Sequence, residues 1–156
     1  MGVKPIPEGY HSVNAYIAVD DASKAIDFYK KAFGAKERGR MEGPPGKIAH
    51  AELEIGDSVI MLSDQFPQSP LKTPKEIGAT TASLMIYTED VDDLVQQAVD
   101  AGATITMPIE TQFWGDRYGR VEDPFGHNWQ IATHVEDVPP DEMAKRAEQA
   151  MAAMTS

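Results

Sequence analysis

The sequence predicts an α+β protein built from two β-α-β-β-β modules in tandem. Two strand-like runs, at residues 13–19 and 82–87, each end beside a pair of acidic residues. Each is followed by an amphipathic helical stripe that a glycine stops, and then by further strand-like segments. A proline-rich stretch separates the two halves. The expected organisation is a first module at residues 1–66, a linker at 67–80, a second module at 81–135 and a helical tail at 136–156, all in one structural domain.

The elements follow in order. After the first strand, Asp20-Asp21 leads into a helix whose Ala22, Ala25, Ile26, Tyr29 and Phe33 share one face. Asp21 or Ser23 can cap its start and Gly34 ends it. Residues 36–41 form a weak strand, 48–55 alternate well, and 58–62 follow the Gly56-Asp57 turn. In the second half, Glu89-Asp90 precedes the stripe Val91, Leu94, Val95 and Ala98, and Gly102 stops it. Strands follow at 104–109, 117–122 and 128–133. The linker carries Pro67, Pro70, Pro74 and Gly78, which suits an ordered, non-regular crossover. In the tail, Asp141 can cap a helix bearing Met143, Ala147, Ala150, Met151 and Met154, a stripe that needs cover from its own subunit or a partner.

Composition bounds the function. The hydrophobic content of 42% supports a packed core, and no apolar run approaches a membrane span. There is no cysteine, hence no disulfide framework and no thiolate metal site. The first residues lack a signal-peptide core, so a cytoplasmic location is expected. The net charge of −11 repels phosphate backbones, which argues against nucleic acid as a partner. Against that field an anionic ligand needs local cations, such as Arg117 and Arg120.

One segment stands out. Phe113-Trp114-Gly115-Asp116-Arg117 precedes the tight turn Asp123-Pro124-Phe125-Gly126-His127, which leads into the strand Asn128-Trp129-Gln130-Ile131-Ala132. Aromatic faces beside a guanidinium suit a planar or anionic small molecule. The same aromatics can equally plug the edge of a core.

Taken in order, several short motifs resemble the vicinal oxygen chelate superfamily, which includes glyoxalase I, extradiol dioxygenases, fosfomycin-resistance enzymes and bleomycin-binding proteins. They are Ala25-Ile26-Asp27-Phe28-Tyr29 with Phe33-Gly34-Ala35, Glu89-Asp90-Val91-Asp92, Ala101-Gly102-Ala103, Trp114-Gly115-Asp116-Arg117 and Asp123-Pro124-Phe125-Gly126-His127. Pro7-Glu8-Gly9-Tyr10-His11 and His50-Ala51-Glu52-Leu53 look like the small glyoxalase or bleomycin-resistance-like subgroup, similar to the PhnB-type proteins. The resemblance implies eight strands rolled into a U-shaped sheet with the helices outside, and a homodimer with a cavity per sheet.

The metalloenzymes of that superfamily hold one divalent cation on the concave face. Mapped through the repeat, their ligand positions fall here on Asn14, Met61, Ser83 and Gln130. This set lacks imidazole and compensating charge, so no metal ion is expected there. An alternative site for one divalent ion is His50 with Glu52, which lie on one face of a strand. Two ligands from one strand do not define a catalytic centre, and a hydrogen-bonded pair on a wet face accounts for them as well.

Alternation places Asn14, Tyr16 and Ala18, then Ser83, Met85 and Tyr87, then Asn128, Gln130 and Ala132 on the concave face, with Phe113, Trp114 and Arg117 at the approach. The expected ligand-binding set is therefore Asn14, Tyr16, Met85, Tyr87, Phe113, Trp114, Arg117 and Gln130. It suits an amphipathic small molecule and contains no evident nucleophile. The tyrosines and Met85 can instead simply fill the trough. The leading reading is a metal-free protein that sequesters an aromatic or cationic small molecule at a dimer cleft. The alternatives are a metal-dependent lyase or isomerase of glyoxalase type using His50 and Glu52, and a structural or regulatory dimer without a ligand.

Overall fold

The structure, a computed structural model, describes residues 2–156. The first module runs β1 (Tyr16–Val19), α1 (Ala22–Phe33), β2 (Lys36–Glu42), β3 (Ile48–Ile55) and β4 (Ser58–Asp64). A short helix, α2 (Pro74–Ile77), interrupts the linker. The second module repeats the order with β5 (Ser83–Tyr87), α3 (Val91–Ala101), β6 (Thr104–Thr111), β7 (Asp116–Glu122) and β8 (Asn128–His134), and α4 (Pro140–Thr155) forms the tail. The eight strands lie in two four-stranded sheets, one per module, ordered β1-β4-β3-β2 and β5-β8-β7-β6. In each, the first strand runs parallel to the last and the other pairs are antiparallel.

Local chemistry explains the boundaries. The Asp21 carboxylate accepts from the Lys24 amide at the start of α1, and Gly34 ends that helix in the left-handed region at φ 66°. Asp90 caps α3 in the same way through the Asp93 amide. The last strand of each module adds a second tie. Asp64 accepts from the Ala22 amide at 3.0 Å and from the Ile48 amide at 2.7 Å. Thr133 Oγ1 accepts from the Val91 amide at 2.9 Å. Strand and helix are thereby joined at corresponding places in both modules.

Three expectations shift in detail. α4 starts at Pro140 behind Pro139, which makes no side-chain cap bond, so Asp141 lies inside the first turn instead of capping it. β1 starts at Tyr16 because Asn14 is turned back on His11, accepting from its amide at 3.0 Å and donating to its carbonyl at 2.6 Å. The linker gains a helical turn because Thr73 accepts from the Glu76 amide and Pro74 occupies the first turn.

The core lies between the sheets and the helices, and α1 packs directly on α3. Ile26, Tyr29, Ala51, Leu53 and Leu62 are buried from the first module, and Val91, Val95, Trp129 and Ile131 from the second. Leu94 is only partly buried against them. Phe28, Tyr29, Phe33, Phe125 and Trp129 form one aromatic cluster across the junction, with Phe33 and Trp129 ring centroids 4.7 Å apart. Phe125 and Trp129 therefore serve the core.

Polar contacts also cross this junction. The buried Asp123 accepts from Tyr29 Oη at 2.6 Å, Trp129 Nε1 at 2.9 Å, and the Phe125 and His127 amides at 2.9 and 3.0 Å. His127 Nε2 lies 2.8 Å from the Ala18 carbonyl oxygen, and Gln97 donates to the Ala32 carbonyl.

Candidate functional site

With their outer faces spent on the helices, the sheets present their other faces as two shallow troughs. Register defines both. In the first, Tyr16 pairs with Met61, and Met61 with Glu52 on its other side. In the second, Met85 pairs with Gln130, Gln130 with Arg120, and Arg120 with Met107. Tyr16 thus corresponds to Met85, Met61 to Gln130 and Glu52 to Arg120.

The first trough is largely occupied by its own chain. His50 lies between Tyr16 and Glu52, with Nδ1 3.1 Å from the Tyr16 hydroxyl and Nε2 3.4 Å from Glu52 Oε1. The N-terminal segment crosses this face. Arg38 donates to the Glu8 carbonyl and stacks over the Tyr10 ring at 5.3 Å. The Tyr10 hydroxyl is buried beside Glu52 but closes no hydrogen bond of ordinary geometry. Burial, and the carboxylate next to it, push the Tyr10 phenol up to about 12. Tyr10 first, and then His50, hold the Glu52 carboxyl below its usual range against the opposing effect of burial.

The second trough is open. Met85 is 42% exposed and Tyr87 62% exposed. A directional relay lies across it: Arg120 Nε donates to the Tyr118 hydroxyl, which donates to Gln130 Oε1 at 2.7 Å, and the Gln130 amide donates to Ser83 Oγ. At one end, buried Asp116 accepts from Tyr87 Oη at 2.9 Å and Trp114 Nε1 at 3.1 Å, and pairs with His134 Nδ1 at 2.8 Å. The other ring nitrogen of His134 reaches Asp137 at 2.8 Å. Burial pushes the Asp116 carboxyl up, but hydrogen bonds from His134, Tyr87 and Trp114 outweigh it and hold the group below the usual carboxylate range. Asp116 and then Asp137 raise His134 above its ordinary value.

Of the expected ligand-binding residues, Met85, Tyr87 and Gln130 come together on this face, and Trp114 joins them through Asp116. Tyr16 lies in the first trough. Asn14 lines a cleft of about 650 Å³ between the modules, which also takes in Met85 and Tyr87 from the edge of the second trough, with Val59, Ile60 and Ile86. Phe113 packs edge-to-face on Trp114, and its carbonyl accepts from Arg146 of α4. Arg117 stands apart. It alternates with Asp116 and Tyr118 along β7, so it points to the helix side, where it makes a bidentate ion pair with Asp92 of α3 at 2.7 and 2.8 Å. Asp116, Tyr118 and His134 are site residues that the sequence reading did not single out.

The donor set does not fit a divalent ion. Asn14 is committed to its turn, and Ser83 and Gln130 to each other. Met61 offers only a thioether. Both ring nitrogens of His50 already face partners. Among the described residues, no group of three or more His, Asp or Glu side chains is arranged to hold a metal ion. No helix there is long and apolar enough to cross a membrane.

A family model for the Glyoxalase/Bleomycin resistance protein/Dioxygenase superfamily matches residues 10–131, well over half of the chain. The chain belongs to that superfamily. It is 45% identical over 135 residues to the uncharacterized protein Mb0911c of Mycobacterium bovis, covering 85% of this chain and 89% of that one. The solved structure of the Arabidopsis thaliana gene product At5g48480 aligns at a TM-score of 0.65 and 28% identity, over 79% of this chain and 98% of that chain. TioX from Micromonospora sp. ML1 aligns at 0.62 and 26%, over 80% and 100%. A PhnB protein from Bacillus cereus, at 19% identity and a TM-score of 0.61 over 79% and 99%, shares the fold.

Proposed function

We propose that this superfamily member is a metal-free, PhnB-like small-molecule-binding protein, acting in the cytoplasm as a homodimer whose concave sheets hold the ligand. The observation that supports this most is the second trough. Met85 and Tyr87 stay exposed there beside a complete hydrogen-bond relay, so an amphipathic molecule would find apolar surface and fixed polar groups together. Met85, Tyr87, Trp114 and Gln130 form the proposed contact set. Exposed Met151 and Met154 on α4 favour association with a second copy.

Three measurements on the untagged protein test this. Elemental analysis is expected to find far less than one Ni, Zn, Fe or Mn per chain. Light scattering should give a dimer mass at micromolar concentration. A thermal-shift screen should yield a stabilising organic ligand, since one present at 100 times its Kd adds about 2.7 kcal/mol. About one metal per chain, lost in His50→Ala or Glu52→Ala, would reject the binding-protein reading and promote a glyoxalase-like lyase or isomerase.

A further inference from the structure

The two troughs differ in one respect that bears on ligand class. At corresponding register positions the first carries Glu52 and the second Arg120. Glu52 is accompanied by Tyr10 and His50 from its own chain. Among the described residues Arg120 has no acidic partner. The arginine ion pairs among the described residues are those of Arg40, Arg117 and Arg146. Glu110, registered opposite Tyr118, and Glu122, registered opposite Asn128, make no ion pair with Arg120.

Yet Arg120 is not a loose surface cation. Its Nε is tied to the Tyr118 hydroxyl, Tyr118 is buried, and the guanidinium carbon lies 5.6 Å from that ring's centroid. The relay through Gln130 and Ser83 fixes the tyrosine in turn. Among the described residues the two terminal nitrogens of Arg120 make no hydrogen bond, and they form the planar fork that matches a carboxylate edge. Arg120 is exposed, and in a chain of net charge −11 it offers an oriented guanidinium edge that an anion can reach. Beside it lies a groove of about 500 Å³, walled by Thr80, Ser83, Thr106, Met107 and Asn128. Met85 lies on the same face but two strands away from Arg120, beyond Gln130 and on the side opposite Met107.

We propose that the second trough takes an organic carboxylate with an apolar body, its anionic group on the free edge of Arg120 and its body in the groove beside Met107. This rests on the small-molecule-binding reading and narrows it. It also reverses the preference for a cationic ligand that net charge alone suggests, because Arg120 dominates locally whereas the distant carboxylates are screened.

The test follows the methionine methyl groups by ¹³C NMR, assigned with Met85→Leu and Met107→Leu, in the full-length protein. The probes are 3-phenylpropionate, 3-phenylpropanol, 3-phenylpropylamine and inorganic phosphate. The carboxylate is expected to shift the Met107 methyl more than that of Met85, and to bind about tenfold or more tightly than the alcohol or the amine. Arg120→Gln should abolish that advantage, Arg120→Lys should keep part of it, and Arg117→Gln should leave it intact. Thermal unfolding of each variant confirms that it is folded. Equal binding of carboxylate and alcohol, or no effect of Arg120→Gln, would overturn the anion assignment while leaving a ligand trough in place. Phosphate binding as tightly as the carboxylate would overturn the requirement for an organic body. No shift of either methyl with any probe would overturn both this inference and the reading it rests on.

Discussion

Replacing Asp123 by alanine tests how the two modules are joined. The carboxylate is 3% exposed and accepts four hydrogen bonds, one of them from Tyr29 in the other module. Its removal strands the Tyr29 hydroxyl and the Trp129 indole N–H in an apolar cluster, at about 1–3 kcal/mol each. Two amides of the Pro124-Phe125 turn lose their acceptor as well. Relief of the carboxylate's own desolvation offsets part of this. The expected net loss is roughly 3–5 kcal/mol, the range seen when one partner of a buried charged contact is deleted. At roughly 2–4 °C per kcal/mol for a chain of this size, the melting temperature should fall by about 6–20 °C. Urea unfolding at fixed protein concentration, followed by tryptophan fluorescence, measures the loss. Tyr29→Phe should cost less, and the double variant should cost less than the sum of the two. A loss below about 1 kcal/mol for Asp123→Ala, or strict additivity with Tyr29→Phe, would refute the idea that this carboxylate locks the junction.

Two further outcomes are expected. His134 is raised by Asp116 and Asp137, so its contribution to stability should be fully present below its unfolded pKa and fade as pH rises through the higher folded value. NMR titration should show the elevated pKa, Asp137→Asn should lower it, and His134→Gln should flatten stability across that window. Gly115 has φ 101°, and a Cβ there would collide with the Glu136 carbonyl oxygen. Gly115→Ala should therefore cost at least about 2 kcal/mol and open residues 135–139 to limited proteolysis; unchanged protease resistance would show that the backbone yields there at little cost.

The modular order, both long helices and the buried faces of β1, β5 and β8 were legible in the chain because they depend on short-range chemistry. Asp21 with Gly34 and Asp90 with Gly102 bracket the helices, and alternation sorts Ile17, Val19, Leu84, Ile86, Trp129 and Ile131 to the core. The order of the short motifs likewise carried the resemblance to the superfamily. Which arginine faces the trough was a tertiary matter. Along β7 one face carries Arg117 and the other Arg120, so parity alone assigns neither; pairing with β8 and the position of Asp92 on α3 decide it. The union of Asp116, Tyr87, Trp114 and His134 has the same origin, since Asp116 meets His134 only through strand register. So does the fate of Asp123 and Phe125. By sequence they are only part of a tight turn before β8; α1, packing against the second module, brings Tyr29 to the carboxylate across 94 residues of chain. Sequence determines what each segment can form, because caps and periodicity act within a few residues. Only the folded chain decides which polar groups are left without partners, because that depends on what the rest of the molecule brings to them.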